Sequence, residues 1–83
     1  GDQFMPAAAQ LRRDTRALSG AGKNTLSGLR ARYAWAKLGE GNARKSAKLR
    51  AKFDRRARWS ALPGEAASER ALMAVVDARA ARD

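Results

Sequence analysis

The chain of 83 residues has no cysteine and no histidine. These absences exclude disulfide staples, thiolate or imidazole metal centres, cysteine nucleophiles and histidine general bases. Isoleucine is missing too, and large apolar side chains are few. Of 37 hydrophobic residues, 20 are Ala; the rest are eight Leu, two each of Val, Met, Phe and Trp, and one Tyr. No run approaches the roughly 18 consecutive apolar residues of a membrane span, and no charged-then-apolar leader opens the chain. Acids are also scarce: eight Asp and Glu stand against 18 Lys and Arg, a formal net charge of +10. So large an excess of one sign points to a polyanion as partner.

What is abundant favours helix. Ala, Leu, Arg and Lys are among the best helix formers, but Ala contributes little burial energy, whereas a buried Leu or Phe contributes roughly 1.5–3 kcal/mol. The expectation is an all-α domain, a small bundle of about four helices around a thin core, with self-association into a homo-oligomer left open. Disorder competes with this reading, because few large apolars and high net charge are its signature. Periodic apolar stripes and clear stop signals from residue 7 to residue 81 argue against it.

Residues 1–5 read as a flexible N-terminus or a cloning remnant, and 6–83 as a single helical domain. A first helix is expected over 6–19, with Pro6 in its first turn, Ala8, Leu11, Thr15 and Leu18 as its stripe and Gly20 as its stop. The glycines of 20–24 suggest a turn with left-handed residues, and Asn24 or Thr25 caps a second helix over 25–38. That helix has two apolar stripes, Leu26, Leu29, Tyr33 and Ala36 on one side and Ala31, Trp35 and Leu38 on another, so it belongs in the centre. Gly28 either admits a close neighbour or delays the start of this helix. Asn42 caps a third helix over 43–61, whose inward stripe is Ser46, Leu49, Phe53, Ala57 and Ser60. A fourth spans 65–81, with Leu72, Met73, Val76 and Ala80 inward, Val75 at the margin, and Glu65 and Glu69 balancing the dipole of its first turn.

The third helix carries most of the charge. Between Arg44 and Arg58 lie eight cations and one acid, Asp54. On a helical wheel Arg44, Lys45, Lys48, Lys52, Arg55 and Arg58 share an arc of about 140°, opposite Leu49 and Phe53, with Trp59 in its middle. Cations spaced along a rod each neutralise a phosphate and release a counter-ion. Arg adds a bidentate fork, and Trp59 can stack on a base or a sugar. The competing reading is a solvated face with Trp59 packed on a neighbour. It is the weaker one, since apart from Asp54, four before Arg58, the arc lacks the i,i+4 acids that such faces normally carry. Arg12, Arg13, Arg16, Lys23, Arg30 and Arg32 extend the footprint if the bundle turns them to the same side.

Three segments resemble known motifs in part. Ser19 to Thr25 lacks the leading Gly, the Ser or Thr after Lys23, and the strand that a phosphate-cradling loop requires. Phe53 to Trp59 resembles the end of a homeodomain recognition helix over seven residues. The family's adenine-reading Asn is absent and Lys52 stands where the family has Trp, so neither its fold nor its base-reading role is carried over. The second and third helices with the Gly39–Asn42 turn have helix-turn-helix dimensions, which also fit an ordinary helical hairpin. In the DNA-binding version Arg44, Lys45 and Lys48 read bases, and Arg55, Arg56 and Arg58 hold the backbone.

The functional expectation is therefore a nucleic-acid-binding protein, for DNA or RNA, that uses the basic face of the third helix. The alternative is a small interaction or inhibitor module that docks this face on an acidic protein surface with Trp35 or Trp59 as anchor. An exposed apolar patch beside the cations favours the protein partner, and a uniformly polar basic rod favours nucleic acid. Weak membrane-surface binding ranks third, because Leu49, Phe53 and alanines make a small apolar side. Nothing marks a catalytic residue, metal site, cofactor or small-molecule substrate, so the chain does not read as an enzyme. An intracellular place, cytoplasmic or nucleoid-associated, is the expectation for localisation.

Overall fold

A computed structural model describes residues 20–82. The expected first helix, together with Arg12, Arg13 and Arg16, lies outside the described residues. Within them the chain is all-helical and compact, with three α-helices, α1 Leu26–Ala34, α2 Ala43–Arg58 and α3 Pro63–Arg82. A short 3₁₀ helix, Gly20–Asn24, precedes α1, and a π-helical turn, Trp35–Gly39, extends it. No strand is present among the described residues.

Each end follows from local chemistry. The Thr25 hydroxyl accepts from the Gly28 N–H at 3.0 Å and donates to the Gly22 carbonyl at 2.7 Å, so one side chain caps α1 and ties the preceding turn to it. The turn itself is 3₁₀, with the negative φ of that geometry, in place of the left-handed glycine turn expected there. Arg32 braces it, donating from Nη1 to the Lys23 carbonyl and the Asn24 side chain. At the far end the Glu40 N–H reaches back five residues to the Trp35 carbonyl, and Gly41 reverses the chain at a φ of 62°, where only glycine is unstrained. Asn42 then caps α2, its Oδ1 accepting from the Lys45 N–H at 2.9 Å. Pro63 opens α3 two residues earlier than expected, at a position where its missing N–H costs nothing.

The role of Gly28 is close approach. A Cβ there would stand 2.0 Å from the Gly22 carbonyl oxygen and 2.9 Å from the Lys23 backbone. Both obstacles are main chain, so Gly28→Ala must displace the turn. It is expected to destabilise the protein by about 1–3 kcal/mol, the usual range for overpacking. Gly64→Ala, which meets nothing within 4 Å in the first turn of α3, is the contrasting control and is expected to be neutral or stabilising. Urea midpoints of the two variants check this; an unshifted Gly28→Ala midpoint would refute the packing account.

α1 packs on both α2 and α3, the central place its two apolar faces imply. The core joins Leu26, Leu29, Tyr33, Ala34 and Ala36 of the first layer to Leu49 and Phe53 of α2 and Ala66, Met73 and Val76 of α3. Trp35, Leu38 and Ala57 pack against its edge. On α2 Ser46, Leu49 and Phe53 of the expected stripe are buried, Ala57 is half-buried, and Ser60 lies beyond the helix, which stops at Arg58 rather than at residue 61. On α3 the expected stripe is displaced. Leu72 is 45% exposed and Val75 is exposed as well, while Ala66 faces inward with Met73 and Val76. The inward side of α3 also carries Glu69 and Asp77, which meet Arg30 and Arg50 across the helix interfaces. Glu69 is thus an interhelical ion-pair partner rather than a first-turn dipole residue. No helix among the described residues is long and apolar enough to cross a membrane.

Candidate functional site

The distribution of ion pairs determines which cations are left for a partner. Arg30 Nε donates to Glu69 Oε2 at 2.7 Å and joins α1 to α3. Tyr33, fully buried in the core, donates its hydroxyl proton to Asp77 Oδ1 and accepts from Lys37 Nζ at 3.1 Å and Arg50 Nη2 at 2.8 Å. Lys37 also reaches Asp77 Oδ1 at 3.2 Å, and Arg50 pairs with the other carboxylate oxygen. This four-residue knot ties α1, α2 and α3 together. The guanidinium of Arg50 additionally lies 4.8 Å from the centre of the Tyr33 ring. No buried side-chain nitrogen or oxygen among the described residues lacks a partner.

Burial disfavours ionised Asp77, but hydrogen bonds from Tyr33 and Lys37 and the charges of Arg50 and Lys37 outweigh it and hold its pKa below the ordinary carboxylate value. The bond to Tyr33, opposed by partial desolvation and aided by Asp77, raises the pKa of Lys37. Because the folded-state pKa of Asp77 is the lower one, its contribution to stability is complete above the unfolded value of about 4 and is lost as pH falls through the folded value. Asp77→Asn is therefore expected to lower the melting temperature at pH 6, with the gap to wild type narrowing as pH falls toward 2. A gap constant over that range would show that the Asp77 charge does not contribute.

The basic face of α2 stands in contrast. Arg44, Lys45, Lys48, Lys52, Arg55, Arg56 and Arg58 are all exposed. Lys45 bonds Glu40 at 2.9 Å. The other six have no ion pair among the described residues. Of the five acids between residues 20 and 82, Glu40, Glu69 and Asp77 are held by the pairs above, and Asp54 lies 3.6 Å from Arg70. Glu65 sits in the first turn of α3. Glu69 and Asp77 thus pair with cations at helix interfaces, Glu40 takes Lys45, and the other six cations of α2 keep no ion pair among the described residues. Sixteen residues of α-helix make a rod about 24 Å long. Duplex DNA presents one phosphate charge per roughly 1.7 Å of its axis, so the rod can face several.

Trp59 ends this face at the C-cap of α2 and is 79% exposed. It is not a core residue. Leu62, three positions on, is 61% exposed. Between α2 and α3 a groove opens, lined by Arg58, Ser60, Pro63, Ala67, Arg70 and Ala74 among others. Arg70 is placed at this edge with its guanidinium 5.6 Å from the centre of the Phe53 ring.

The structure places the secondary basic residues differently from one another. Lys23 is exposed; Arg30 is paired with Glu69, and Arg32 hydrogen-bonds the turn before α1 without an ion pair among the described residues. Arg70, which the helical pattern of the sequence does not single out, joins the edge of the basic surface. Its signal was available only as an isolated Arg on the opening half of α3. No group of three or more Asp and Glu that could hold a metal occurs among the described residues. Comparison with protein-family models, with curated proteins and with solved structures finds no match to this chain.

Proposed function

We propose that the protein binds nucleic acid through the outer face of α2, with Arg44, Lys48, Lys52, Arg55 and Arg58 as phosphate contacts and Lys45 and Arg56 at the margins. The observation that carries this reading is the set of six exposed cations on one helix without ion pairs among the described residues, where Asp54 is that helix's one acid and meets Arg70 instead. Leaving them uncompensated costs self-repulsion that an anionic partner relieves. A helix-turn-helix use of α1 and α2 fits within the proposal, with Arg44 and Lys48 toward base edges and the last-turn arginines on the backbone. Lys45, engaged by Glu40, is the weakest of the three proposed base readers.

One observation favours the second reading, an acidic protein surface: Trp59 and Leu62 are apolar, exposed and beside the cations. They occupy one end of the face, and elsewhere along it only small residues such as Ala47 and Ala51 interleave with the charges. Membrane-surface binding has less support, because Leu49 and Phe53, the apolar side of α2, are spent in the core. The readings separate by competition at 50 mM salt. Fluorescein-labelled duplex DNA or an RNA hairpin is expected to bind, to be displaced by unlabelled nucleic acid, and to resist an equal charge of polyglutamate. Efficient displacement by polyglutamate would shift the assignment to carboxylate surfaces, and tight retention on neutral vesicles would shift it to membranes.

A further inference from the structure

We propose that the end of α2 is a seat for an unpaired nucleobase, with Trp59 as the stacking platform and the Arg58–Arg70 groove as the path of the adjoining backbone. The protein would then prefer single strands over duplex. This rests on the nucleic-acid reading and makes it more specific.

Three observations carry it. Trp59 supports nothing in the fold: it is 79% exposed at the point where the chain leaves α2, and Phe53, Tyr33 and Met73 fill the interior without it. It stands within the charged surface, one helical turn, about 6 Å, beyond Arg55 and directly after Arg58. Its two chain neighbours, Arg58 and Ser60, line the groove that α3 closes with Pro63, Ala67, Arg70 and Ala74; the indole itself is not part of that lining, so a strand stacked on it reaches the groove by passing Arg58. Arg70 is steadied there by the Phe53 ring and is only loosely paired with Asp54 at 3.6 Å, leaving its guanidinium able to turn to a phosphate.

The chemistry favours an unpaired base. Within a duplex both faces of a base are covered by its neighbours, so an indole can stack only on a base that is single-stranded, bulged or terminal. Such stacking tolerates any sequence, because every base has a π face. A peptide partner would use Trp59 as an apolar anchor instead, and bulk rather than aromaticity would then matter.

The test measures affinities of wild type, Trp59→Ala and Trp59→Leu for labelled (dT)10 and for a ten-base-pair duplex at 50 mM salt, with tryptophan emission followed in parallel. Both substitutions are expected to weaken (dT)10 binding about tenfold, within the range for loss of base–aromatic stacking. Duplex affinity should change less than twofold, and the salt slope should not move, since no phosphate contact is lost. Wild-type emission should be quenched by (dT)10, and Trp59→Phe should lose that quench. Equal losses on both nucleic acids, or a Leu variant as good as wild type, would overturn the single-strand seat while leaving the basic-face reading intact. Binding of neither nucleic acid by wild type would overturn both.

Discussion

Phe53→Ala is expected to unfold most of the molecules at 37 °C. Phe53 has no exposed surface and is the largest side chain α2 sends into the core, where it meets a layer otherwise rich in alanine. Removing a buried Phe costs about 3–5 kcal/mol through lost transfer energy and the cavity left behind. A domain of 83 residues has about 4–12 kcal/mol of stability to lose. A core of few large residues, under ten net positive charges, belongs at the lower end of that range. The loss extends past the cavity, because Arg70 stacks on the same ring at 5.6 Å. Leu72→Ala is the comparison: it removes the same kind of apolar group from a half-exposed site, so its effect should stay under about 1 kcal/mol. Thermal melts followed by circular dichroism measure both. Comparable melting temperatures for Phe53→Ala and Leu72→Ala would overturn the assignment of Phe53 as the anchor.

The second large effect is on binding. With the five proposed phosphate contacts on the α2 face, affinity for duplex DNA should fall about five-hundredfold between 50 and 200 mM salt, a log–log slope of about −4.5. The steepness follows from the structure of the charge. Screening weakens any exposed cation, but only cations that displace condensed counter-ions contribute to the slope. Arg30, Lys37 and Arg50 are held by Glu69 and Asp77 and should contribute nothing, so Arg30→Ala is expected to lower stability while leaving the slope unchanged. A slope near −1 would mean that one or two cations touch the phosphates and that the face as a whole is solvated.

Much of the α2 geometry was legible in the sequence. Helical spacing alone puts Ser46, Leu49 and Phe53 on one side and the cations on the other, and Asn42 and Gly41 mark where the helix begins because their chemistry is local. α1 was legible for a similar reason, since two apolar stripes require two neighbours. α3 was less so. Leu72 and Met73 are adjacent, about 100° apart on the helix, and periodicity cannot say which of them turns inward. The inward side is shared with Glu69 and Asp77, which hydrophobic patterning passes over and whose partners lie tens of residues away in sequence. For the same reason Arg30 reads as a free cation when it is paired with Glu69; Arg32 hydrogen-bonds the nearby Lys23 carbonyl and Asn24 side chain and has no ion pair among the described residues. Trp59 was ambiguous because an indole serves a core or a surface equally well until the neighbouring volume is known; here Tyr33, Phe53 and Met73 have already filled it.

The measurement that tests the central claim most directly is the salt dependence of nucleic-acid affinity for wild type and for a variant with Lys48, Lys52 and Arg55 all changed to Ala. These three are exposed, unpaired among the described residues and outside the core, so the variant should fold like wild type. The account predicts a slope that falls by about three on duplex, one for each lost phosphate contact, and by about two on single-stranded probes. Affinity and slope both unchanged in the triple variant would contradict it, and would remove α2 as the binding surface.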